Sequence, residues 1–358
     1  MIVEHLELVD FRNYHKERFE LTDGTTVVLG DNGHGKTNLA EALAYLATLS
    51  SFRGVSNEAM IRSGAETAVI RATVRQPSGR RSNVDAELTR NGPGRVQVNG
   101  QRLRRTRDLL GTMRVTVFSP DDLSMVKGPP AERRRFVDDA LVSFSAKYDA
   151  VRLDVDRALR QRNRLLKQMG GRVEGDDAAT LDVWDARLAD AGEHLGAARA
   201  ALVARLAPIV EAAYGDLAGP TPVGLTYDPA WQAEGLANAL AASRTSDIRL
   251  RASTVGPHRD DVALSIGPLP ARTQASQGEQ RTLALALRLG MHRLMAEHDD
   301  SAPVLVLDDV LSELDASRAT ALLRHLPDGQ IVITTAGAIP DAVEPHGVIR
   351  IADGTQLR

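Results

Sequence analysis

The sequence predicts an α/β fold in which a mixed sheet with flanking helices is joined to a mainly helical second lobe with a short antiparallel helical arm. Three observations predict this fold. A glycine-rich loop follows an apolar strand near the N-terminus, and an uncharged strand that ends in two aspartates lies near the C-terminus. Between them, apolar residues recur at the spacing of α-helices.

The composition is typical of a globular cytosolic protein. With 358 residues and 43% hydrophobic content, the chain can bury one large core or two smaller ones. Because the net charge is −3, any nucleic-acid affinity must come from a local basic patch. The lack of cysteine excludes disulfides, thiolate zinc sites and cysteine nucleophiles. No uncharged stretch reaches signal-peptide or membrane-spanning length, so we expect a cytoplasmic protein with no membrane partner.

Apolar and β-branched runs predict strands in the first third of the chain and again at its end. The pair Asn99-Gly100 is typical of a hairpin turn between two of them. The last runs indicate buried parallel strands. We assign residues 1–118 and 300–358 to lobe I. The predicted strands are residues 2–9, 25–29, 68–74, 83–88, 95–98, 114–118, 304–307, 331–334 and 348–351.

The middle of the chain has the apolar rhythm of two facing helices. From Pro129 to Met169, apolar residues recur in a 4-3 pattern that only Arg162 interrupts. The break GGRVEGDD separates this helix from a second one, which we expect to kink at Pro208. At 1.5 Å per residue the first helix would be about 50 Å long, which predicts an antiparallel helical arm. Residues 119–299, with the arm, form the predicted lobe II.

The segment GDNGHGKT, residues 30–37, lies between the strand TTVVL and a helical pattern. Its spacing matches G-x-x-x-x-G-K-[ST], in which glycines let backbone N–H groups surround phosphate, the lysine adds charge and the hydroxyl reaches Mg²⁺. A simple connecting turn would need neither the lysine nor the threonine. We therefore expect ATP and Mg²⁺ as cofactors and place the Walker A motif in lobe I. The predicted nucleotide-binding residues are Gly30, Asp31, Asn32, Gly33, His34, Gly35, Lys36, Thr37 and Asn38.

The run APVLVLDDVLSELD places Asp308 and Asp309 at the end of an uncharged strand. In a parallel sheet this is the edge where phosphates bind, so the pair has Walker B geometry. One carboxylate would hold Mg²⁺, and its neighbour would orient the attacking water for hydrolysis. An aspartate-rich turn at a strand end is the alternative, which the phosphate loop argues against.

Between the two motifs, ASQGEQRTLALALRLG begins a long helix that Ser276 caps. The segment resembles the LSGGQ signature of ABC-type ATPases, with departures at Ala275, Gln277 and Glu279, and SELD at 312–315 resembles their D-loop. This resemblance implies an ABC-type P-loop ATPase head whose signature helix binds the γ-phosphate held by a second subunit. A plain helix cap is the alternative. The residues expected to act in trans are Ser276, Gln277, Gly278 and Glu279.

Along nearly its whole length the chain is similar to the RecF family of bacterial DNA replication and repair ATPases, which are related to the heads of SMC proteins. Further matching segments are LVDFRNY at 8–14, FSPDDLSMVKGPPAERRRFVD at 118–138 and GPHRDD at 256–261. The resemblance implies an ATP-dependent homodimer, weak DNA-stimulated ATP hydrolysis and a role in DNA damage and the SOS response. It also implies association with the nucleoid when active, and RecR and RecO as partners in loading recombinase at single-strand gaps.

Carried over residue by residue, the resemblance makes Lys36 and Asp309 catalytic and makes Thr37 and Asp308 ligands of Mg²⁺. Transporter ATPases usually have glutamate at the position of Asp309. The shorter aspartate would hold water less well, which agrees with slow turnover. Arg12 matches a family position near the nucleotide, although a surface charge at a strand end is an equal alternative.

Two other classes of function are the alternatives. The ATPase subunit of an ABC transporter would be expected to have a switch histidine, where Thr335 stands, and a Q-loop glutamine, which is not evident near residues 118–121. A small-molecule P-loop kinase would have no use for a signature helix. The sequence therefore favours an ATP-switched DNA-binding dimer and leaves open how the γ-phosphate is sensed.

A basic stripe on the arm is the predicted contact with duplex and gapped DNA. Its residues are spaced 3-4-3 along the helix, on the side away from the apolar seam. A solvated face is an equal alternative. Arginines at 133–135 and 102–107 are additional candidates, and none of these groups specifies base recognition. The predicted DNA-binding residues are Arg157, Arg160, Arg164, Lys167, Arg104 and Arg105.

Overall fold

The computed structural model describes residues 1–104, 106–110, 112–299 and 301–357. Contacts divide the chain into two compact units. Unit 1 comprises Met1–Leu123, Ile209–Thr221 and Ser276–Arg358, and unit 2 comprises Ser124–Pro208 and Pro222–Ala275. The predicted lobe II comprised all of residues 119–299, so its limits differ from those of unit 2. The division into the two predicted lobes stays a prediction. Among the described helices, none is long and apolar enough to cross a membrane.

Unit 1 contains two sheets. The first is antiparallel, has the strand order β2-β1-β4-β5-β6-β7 and comes entirely from the first third of the chain. Its strands are β1 (Ile2–Phe11), β2 (Tyr14–Glu20), β4 (Thr67–Arg75), β5 (Arg81–Thr89), β6 (Arg95–Val98) and β7 (Gln101–Arg102).

The second sheet of unit 1 has the order β15-β14-β3-β13-β12-β8. Its pairs from β14 to β8 are parallel, and β15 pairs with β14 in the antiparallel sense. Strands β12 and β13 are mainly apolar and are buried on both faces, as expected for parallel strands. The strands are β3 (Thr25–Leu29), β8 (Val115–Phe118), β12 (Val304–Asp308), β13 (Ile331–Thr335), β14 (Gly347–Ala352) and β15 (Thr355–Leu357).

One helix of unit 1, α1 (Lys36–Thr48), belongs to the core that both sheets share. Leu39, Leu43 and Leu46 on this helix are fully buried, because its LAEALAYLA sequence is apolar on nearly every side. The same core includes Leu6 of the first sheet and Val332 of the second. The other helices of this unit are α2 (Asn57–Met60), α9 (Gln277–Asp299) and α10 (Ala316–Arg324), with 3₁₀ turns at Thr106–Leu109, Pro120–Asp122 and Val310–Glu313.

Unit 2 is mainly helical and has a small antiparallel sheet of order β11-β10-β9. The chain passes from unit 2 into unit 1 within the 42-residue helix α6, after Pro208. The elements are α3 (Leu123–Lys127), α4 (Pro130–Phe144), α5 (Lys147–Gln168), α6 (Asp177–Ala218), β9 (Val223–Thr226), α7 (Leu236–Leu250), β10 (Ala263–Ile266), β11 (Leu269–Pro270) and α8 (Ala271–Gln274).

The prediction of one helix from Pro129 to Met169 is wrong, because the chain forms α4 and α5 there. Ser145 has an extended backbone, and its N–H ends α4 by donating to the carbonyl of Leu141 at 3.0 Å. The apolar rhythm continues across this short break, so periodicity alone did not reveal it. Helix α5 has 22 residues and is about 33 Å long, shorter than predicted. Helix α6 runs on through Pro208 to Ala218.

Arg162, the residue that interrupts the apolar seam, is fully buried and joins three elements of unit 2. Its Nε donates to Asp185 on α6 at 2.5 Å, and its Nη1 donates to Asp247 on α7 at 2.7 Å. Nη1 also donates to the hydroxyl of Ser253 at 2.8 Å. Since Asp247 is also fully buried and accepts further hydrogen bonds from Thr254, the ion pair belongs to a buried polar cluster. The interruption is therefore a structural connection between helices.

Candidate nucleotide-binding site

The loop between β3 and α1 needs glycine at two positions. Gly35, which precedes the first residue of α1, has φ of +117°, in the region that favours glycine. A Cβ added there would lie 2.8 Å from both the Tyr14 hydroxyl and the Asn13 side-chain nitrogen. A Cβ on Gly30 would lie 2.3 Å from the carbonyl oxygen of Ile351. Glycine at these two positions therefore lets the loop pack closely against Asn13, Tyr14 and the end of β14.

Lys36 is buried and points back into the loop. Its Nζ donates to the carbonyl of Gly30 at 2.7 Å and to that of Asp31 at 2.9 Å. The Tyr14 hydroxyl donates to the carbonyl of Gly35 at 2.9 Å. Asn13, through its amide, holds the carbonyl of His34 at 2.9 Å. Sequence reasoning missed Asn13 and Tyr14 as supports of the loop, although both lie in the quoted segment LVDFRNY.

Arg12 ties the end of β1 to the helix that follows the loop. Its Nε and Nη2 donate to the two carboxylate oxygens of Glu41 on α1, at 2.7 and 2.8 Å, and Nη1 donates to the carbonyl of Ala59 at 2.8 Å. The Glu41 side chain is fully buried and also accepts a bond from Ser51. These contacts give Arg12 a role in holding α1, and its contact with a nucleotide stays a prediction.

Asp308 lies at the end of β12, beside the loop. Its carboxylate accepts a hydrogen bond from the Thr334 hydroxyl at 2.7 Å and is also bonded to the side chain of Thr37. Burial raises the pKa of Asp308 and the charge of Asp309 adds to this, whereas the two threonines and Arg53 act in the opposite direction. Because a hydroxyl and a carboxylate stand side by side here, Thr37 and Asp308 fit the oxygen ligands that Mg²⁺ prefers.

Asp309 has an unusual backbone and an unsatisfied oxygen. Its φ is +52°, in the left-handed region, which aspartate adopts more readily than most residues with a side chain. Its N–H donates to the Thr334 hydroxyl at 3.0 Å, which fixes the turn. Its Oδ1 is buried and has no hydrogen-bond partner among the described residues. A water molecule or a substrate hydroxyl is the partner that such an oxygen requires.

Sheet topology explains why these residues meet. Strands β3, β13 and β12 are parallel neighbours, so the phosphate loop, Thr335 and the two aspartates follow the same edge of the sheet. Thr335, which stands at the switch position, is buried, and its hydroxyl accepts a bond from the N–H of Gly337 at 3.1 Å. The edge thus brings together one lysine, two carboxylates and three hydroxyls, those of Thr37, Thr334 and Thr335.

The signature segment forms the start of α9 as a capping box. The Ser276 hydroxyl accepts from the N–H of Glu279 at 3.3 Å, and the Glu279 carboxylate accepts from the N–H of Ser276 at 2.8 Å. The hydrogen bonds to Ser276 lower the pKa of Glu279. Ser276 and Gln277 are exposed, and Gly278 lies close to Arg318. Ser276 therefore caps the helix of its own chain. The binding of a second subunit's nucleotide by this segment stays a prediction.

The D-loop segment is attached to the signature helix by Arg281. Nη1 of Arg281 donates to the carbonyl of Glu313 at 3.0 Å, and Nη2 donates to its carboxylate at 2.6 Å. The Ser312 hydroxyl in turn donates to the carbonyl of Asp309 at 2.7 Å. A chain of contacts within unit 1 thus links the signature helix to the second aspartate.

The basic stripe on α5 is exposed as predicted, which leaves both alternatives open. Arg157 makes an exposed pair with Asp154 at 3.7 Å. Arg104 is also exposed, and Arg105 lies outside the described residues. Arg133 is buried and bonded to Asp261, so it serves the fold of unit 2. The exposed residues of the stripe are Arg157, Arg160, Arg164 and Lys167.

Comparison with known proteins bears on this site. The model of the RecF/RecN/SMC N terminal domain matches residues 2–353. The DNA replication and repair protein RecF of Kineococcus radiotolerans is 42% identical, over 96% of this chain and 94% of the relative. The RecF protein of Streptomyces avermitilis is 43% identical, over 95% of both chains. This chain belongs to the RecF family.

Solved structures agree with membership of the RecF family. A RecF–ATP structure from the RecFOR pathway is 29% identical, has a TM-score of 0.91, and is matched over 99% of this chain and 97% of that one. An SMC head domain from Pyrococcus furiosus is 15% identical with a TM-score of 0.57, covering 99% of this chain and 94% of that one, and this likeness concerns the fold alone. The predicted ABC-type ATPase head with a helical second part is confirmed.

Proposed function

We propose that this chain is an ATP-dependent DNA-binding protein of replication and recombinational repair. ATP binding drives two copies together on DNA, and slow hydrolysis releases them. The observation that carries the proposal is the meeting of Lys36, Thr37 and the two aspartates at one sheet edge in a member of the RecF family. The relatives' name, DNA replication and repair protein, supports the biological role over the transporter alternative.

Each residue of the site has a separate part in the proposed hydrolysis. Lys36 supplies positive charge to the phosphates, and the loop N–H groups orient them. Thr37 and Asp308 would hold Mg²⁺, which neutralises charge on the phosphate oxygens when it is bound. Asp309 orients the attacking water through its unsatisfied oxygen. Since aspartate reaches less far than glutamate, this arrangement favours a slow switch.

The proposed protein partners are inferred from membership of the RecF family and form part of the same proposal. The related RecF–ATP structure is described as a recombination mediator in the RecFOR pathway. We therefore propose RecR and RecO as partners in loading recombinase at single-strand gaps. The basic stripe on α5 would contact the phosphate backbone of DNA. A local patch is needed because the overall charge of −3 does not attract DNA by itself.

The trans model predicts the effect of a bulky residue at the start of α9. We expect Ser276→Arg to bind ATP normally but to lose ATP-induced dimers, because Ser276 is exposed where a second subunit would dock. Light scattering with and without ATP measures this. Ser276→Ala is the control, since it removes the cap, at a cost of about 1 kcal/mol, without adding bulk. Dimers of normal mass in Ser276→Arg would contradict the trans model.

The arm stripe is tested by reversing its charge. With Arg157, Arg160, Arg164 and Lys167 changed to Glu, we expect DNA affinity to fall by at least about tenfold, and its dependence on salt to become flatter. Dimerisation with ATP should stay near normal, because the stripe is on α5 and the nucleotide site is in unit 1. Fluorescence anisotropy of a labelled gapped duplex, titrated at several salt concentrations, gives both quantities. Equal affinity and salt slope would identify the stripe as a solvated face.

A further inference from the structure

The loop at residues 253–261 contains GPHRDD, the matching segment to which the nucleotide site gives no role. It lies in unit 2 between α7 and β10. Its two aspartates serve the fold. Asp260 is buried and accepts hydrogen bonds from the Tyr227 hydroxyl at 2.5 Å and the Trp231 Nε1 at 2.8 Å. Asp261 accepts two bonds from Arg133, at 2.7 and 2.9 Å.

The backbone of the loop is held as firmly as its carboxylates. Nη1 of Arg199 donates to the carbonyl of Pro257 at 2.8 Å, and Nη1 of Arg134 donates to that of Asp260 at 2.7 Å. Within the loop, the N–H of Arg259 donates to the carbonyl of Gly256 at 2.8 Å. A side chain on this loop is consequently presented from a fixed position, which lowers the entropy lost when it binds a ligand.

The arginines around the loop fall into two groups. Arg133 is paired in bidentate geometry with Asp261, and Arg199 is paired in the same way with Asp138. The hydrogen bonds described for Arg134 and Arg259 go to backbone carbonyls instead, and the bond from Arg259 to the Ser253 carbonyl is long, at 3.3 Å. No pairing with a carboxylate is described for Arg259, so its positive charge can meet an external anion, whereas Arg134 lies near Asp260, Asp261 and Asp138.

Burial is the main cause of two lowered pKa values at this place, and neighbouring arginines add to it. Burial lowers the pKa of Arg134 and the charge of Arg199 adds to this, although the nearby aspartates oppose it. Burial also lowers the pKa of His258, and the charges of Arg259 and Arg134 contribute. The Nε2 of His258 lies 3.1 Å from the Ser253 carbonyl, to which Arg259 also donates, so the ring and Arg259 share one backbone acceptor.

We propose that Arg259, supported by Arg134, binds phosphate groups of a nucleic-acid backbone. Arg259 is the exposed member, and its guanidinium keeps donors that a phosphate oxygen can accept. Arg259 lies outside α5, so this contact is separate from the basic stripe. It rests on the proposed DNA-binding function and adds to it a second contact surface in unit 2.

The test compares Arg259→Gln with the wild-type full chain in the presence of ATP and Mg²⁺. We expect the affinity for a labelled gapped duplex to fall about tenfold, and the salt slope of a dimer to shrink by about 2, one phosphate for each copy. Arg259→Lys should keep most of the affinity, since lysine also binds phosphate as a point charge. Arg187→Gln is the matched control, because it makes the same change at another exposed arginine of unit 2. The guanidinium of Arg187 already has a partner within the chain, since it lies 5.3 Å from the centre of the Trp184 ring.

The outcomes separate this proposal from the one on which it rests. If wild-type protein fails to bind DNA with ATP, the proposed function is wrong. If wild-type binds and Arg259→Gln binds equally well with an equal salt slope, only the role of Arg259 is overturned. A loss of fluorescent-ATP binding with DNA affinity intact would assign the site to nucleotide phosphate and would also overturn the proposal. An unchanged melting temperature shows that a loss of affinity does not come from unfolding.

Discussion

Asp309→Asn is expected to lower the turnover of ATP by at least about 10²-fold while nucleotide and Mg²⁺ still bind. The reason is that the amide keeps the size of the side chain but cannot accept a proton from the attacking water, a contribution that is typically worth about 10²–10⁴-fold. The ATP-induced dimer should therefore persist longer. Phosphate release measures turnover, fluorescent ATP measures binding, and light scattering follows the dimer after excess ATP is removed.

Two controls make this result specific to the position of the carboxylate. Asp228→Asn makes the same chemical change at an exposed site in unit 2 and should leave turnover unchanged. Asp309→Glu restores a carboxylate with a longer reach, and activity above that of Asp309→Asn is expected. A turnover rate in Asp309→Asn equal to that of wild type would remove Asp309 from the mechanism.

Arg162→Met is expected to lower the free energy of unfolding of unit 2 by about 3–5 kcal/mol, because the buried Asp247 carboxylate keeps its bonds from Thr254 but loses the charged partner. The only two tryptophans, Trp184 and Trp231, both belong to unit 2, so their fluorescence during urea unfolding reports on this unit. Arg160→Met is the control, since Arg160 is exposed on the same helix.

A double variant tests whether the effect comes from the charge pair. Arg162→Met combined with Asp247→Leu removes both charges and should recover part of the lost stability, as replacement of buried ion pairs by apolar residues often does. If Arg162→Met alone changes stability by less than about 1 kcal/mol, the buried pair is not the connection that we infer.

The nucleotide site was more predictable from sequence than the helical unit. The motifs predicted that Lys36, Thr37 and the two aspartates would meet, because phosphate chemistry requires particular residue types at fixed spacings, and the sheet brings them to one edge. Their catalytic and ligand roles stay predictions. The burial of Arg162 could not be found in that way, because its partners Asp185 and Asp247 are far away in sequence and apolar periodicity treats a charge as an interruption. Arg12 is a similar case, since its bond to Glu41 depends on how β1 meets α1.

Element boundaries failed where local signals were weak. Serine and alanine at 145 and 146 are tolerated in a helix, so the break between α4 and α5 has no clear sign in the sequence. Pro208 predicts a kink in the second helix, and α6 continues through it to Ala218. Leu206 and Val210 on either side of it are fully buried, and their packing offsets the cost of about 3 kcal/mol for a proline inside a helix.

The order of strands in the second sheet has a consequence for synthesis on the ribosome. The strand that leads into the phosphate loop, β3, lies between β13 and β14, and Thr25 at its start is hydrogen bonded to His346, 321 positions away. At about 5–20 residues per second, β3 waits about 15 s to one minute for these partners. The first sheet, made from residues 2–102, can pair long before then. A nascent chain that stalls before β13 would therefore expose both edges of β3, which makes it a target for chaperones or for aggregation.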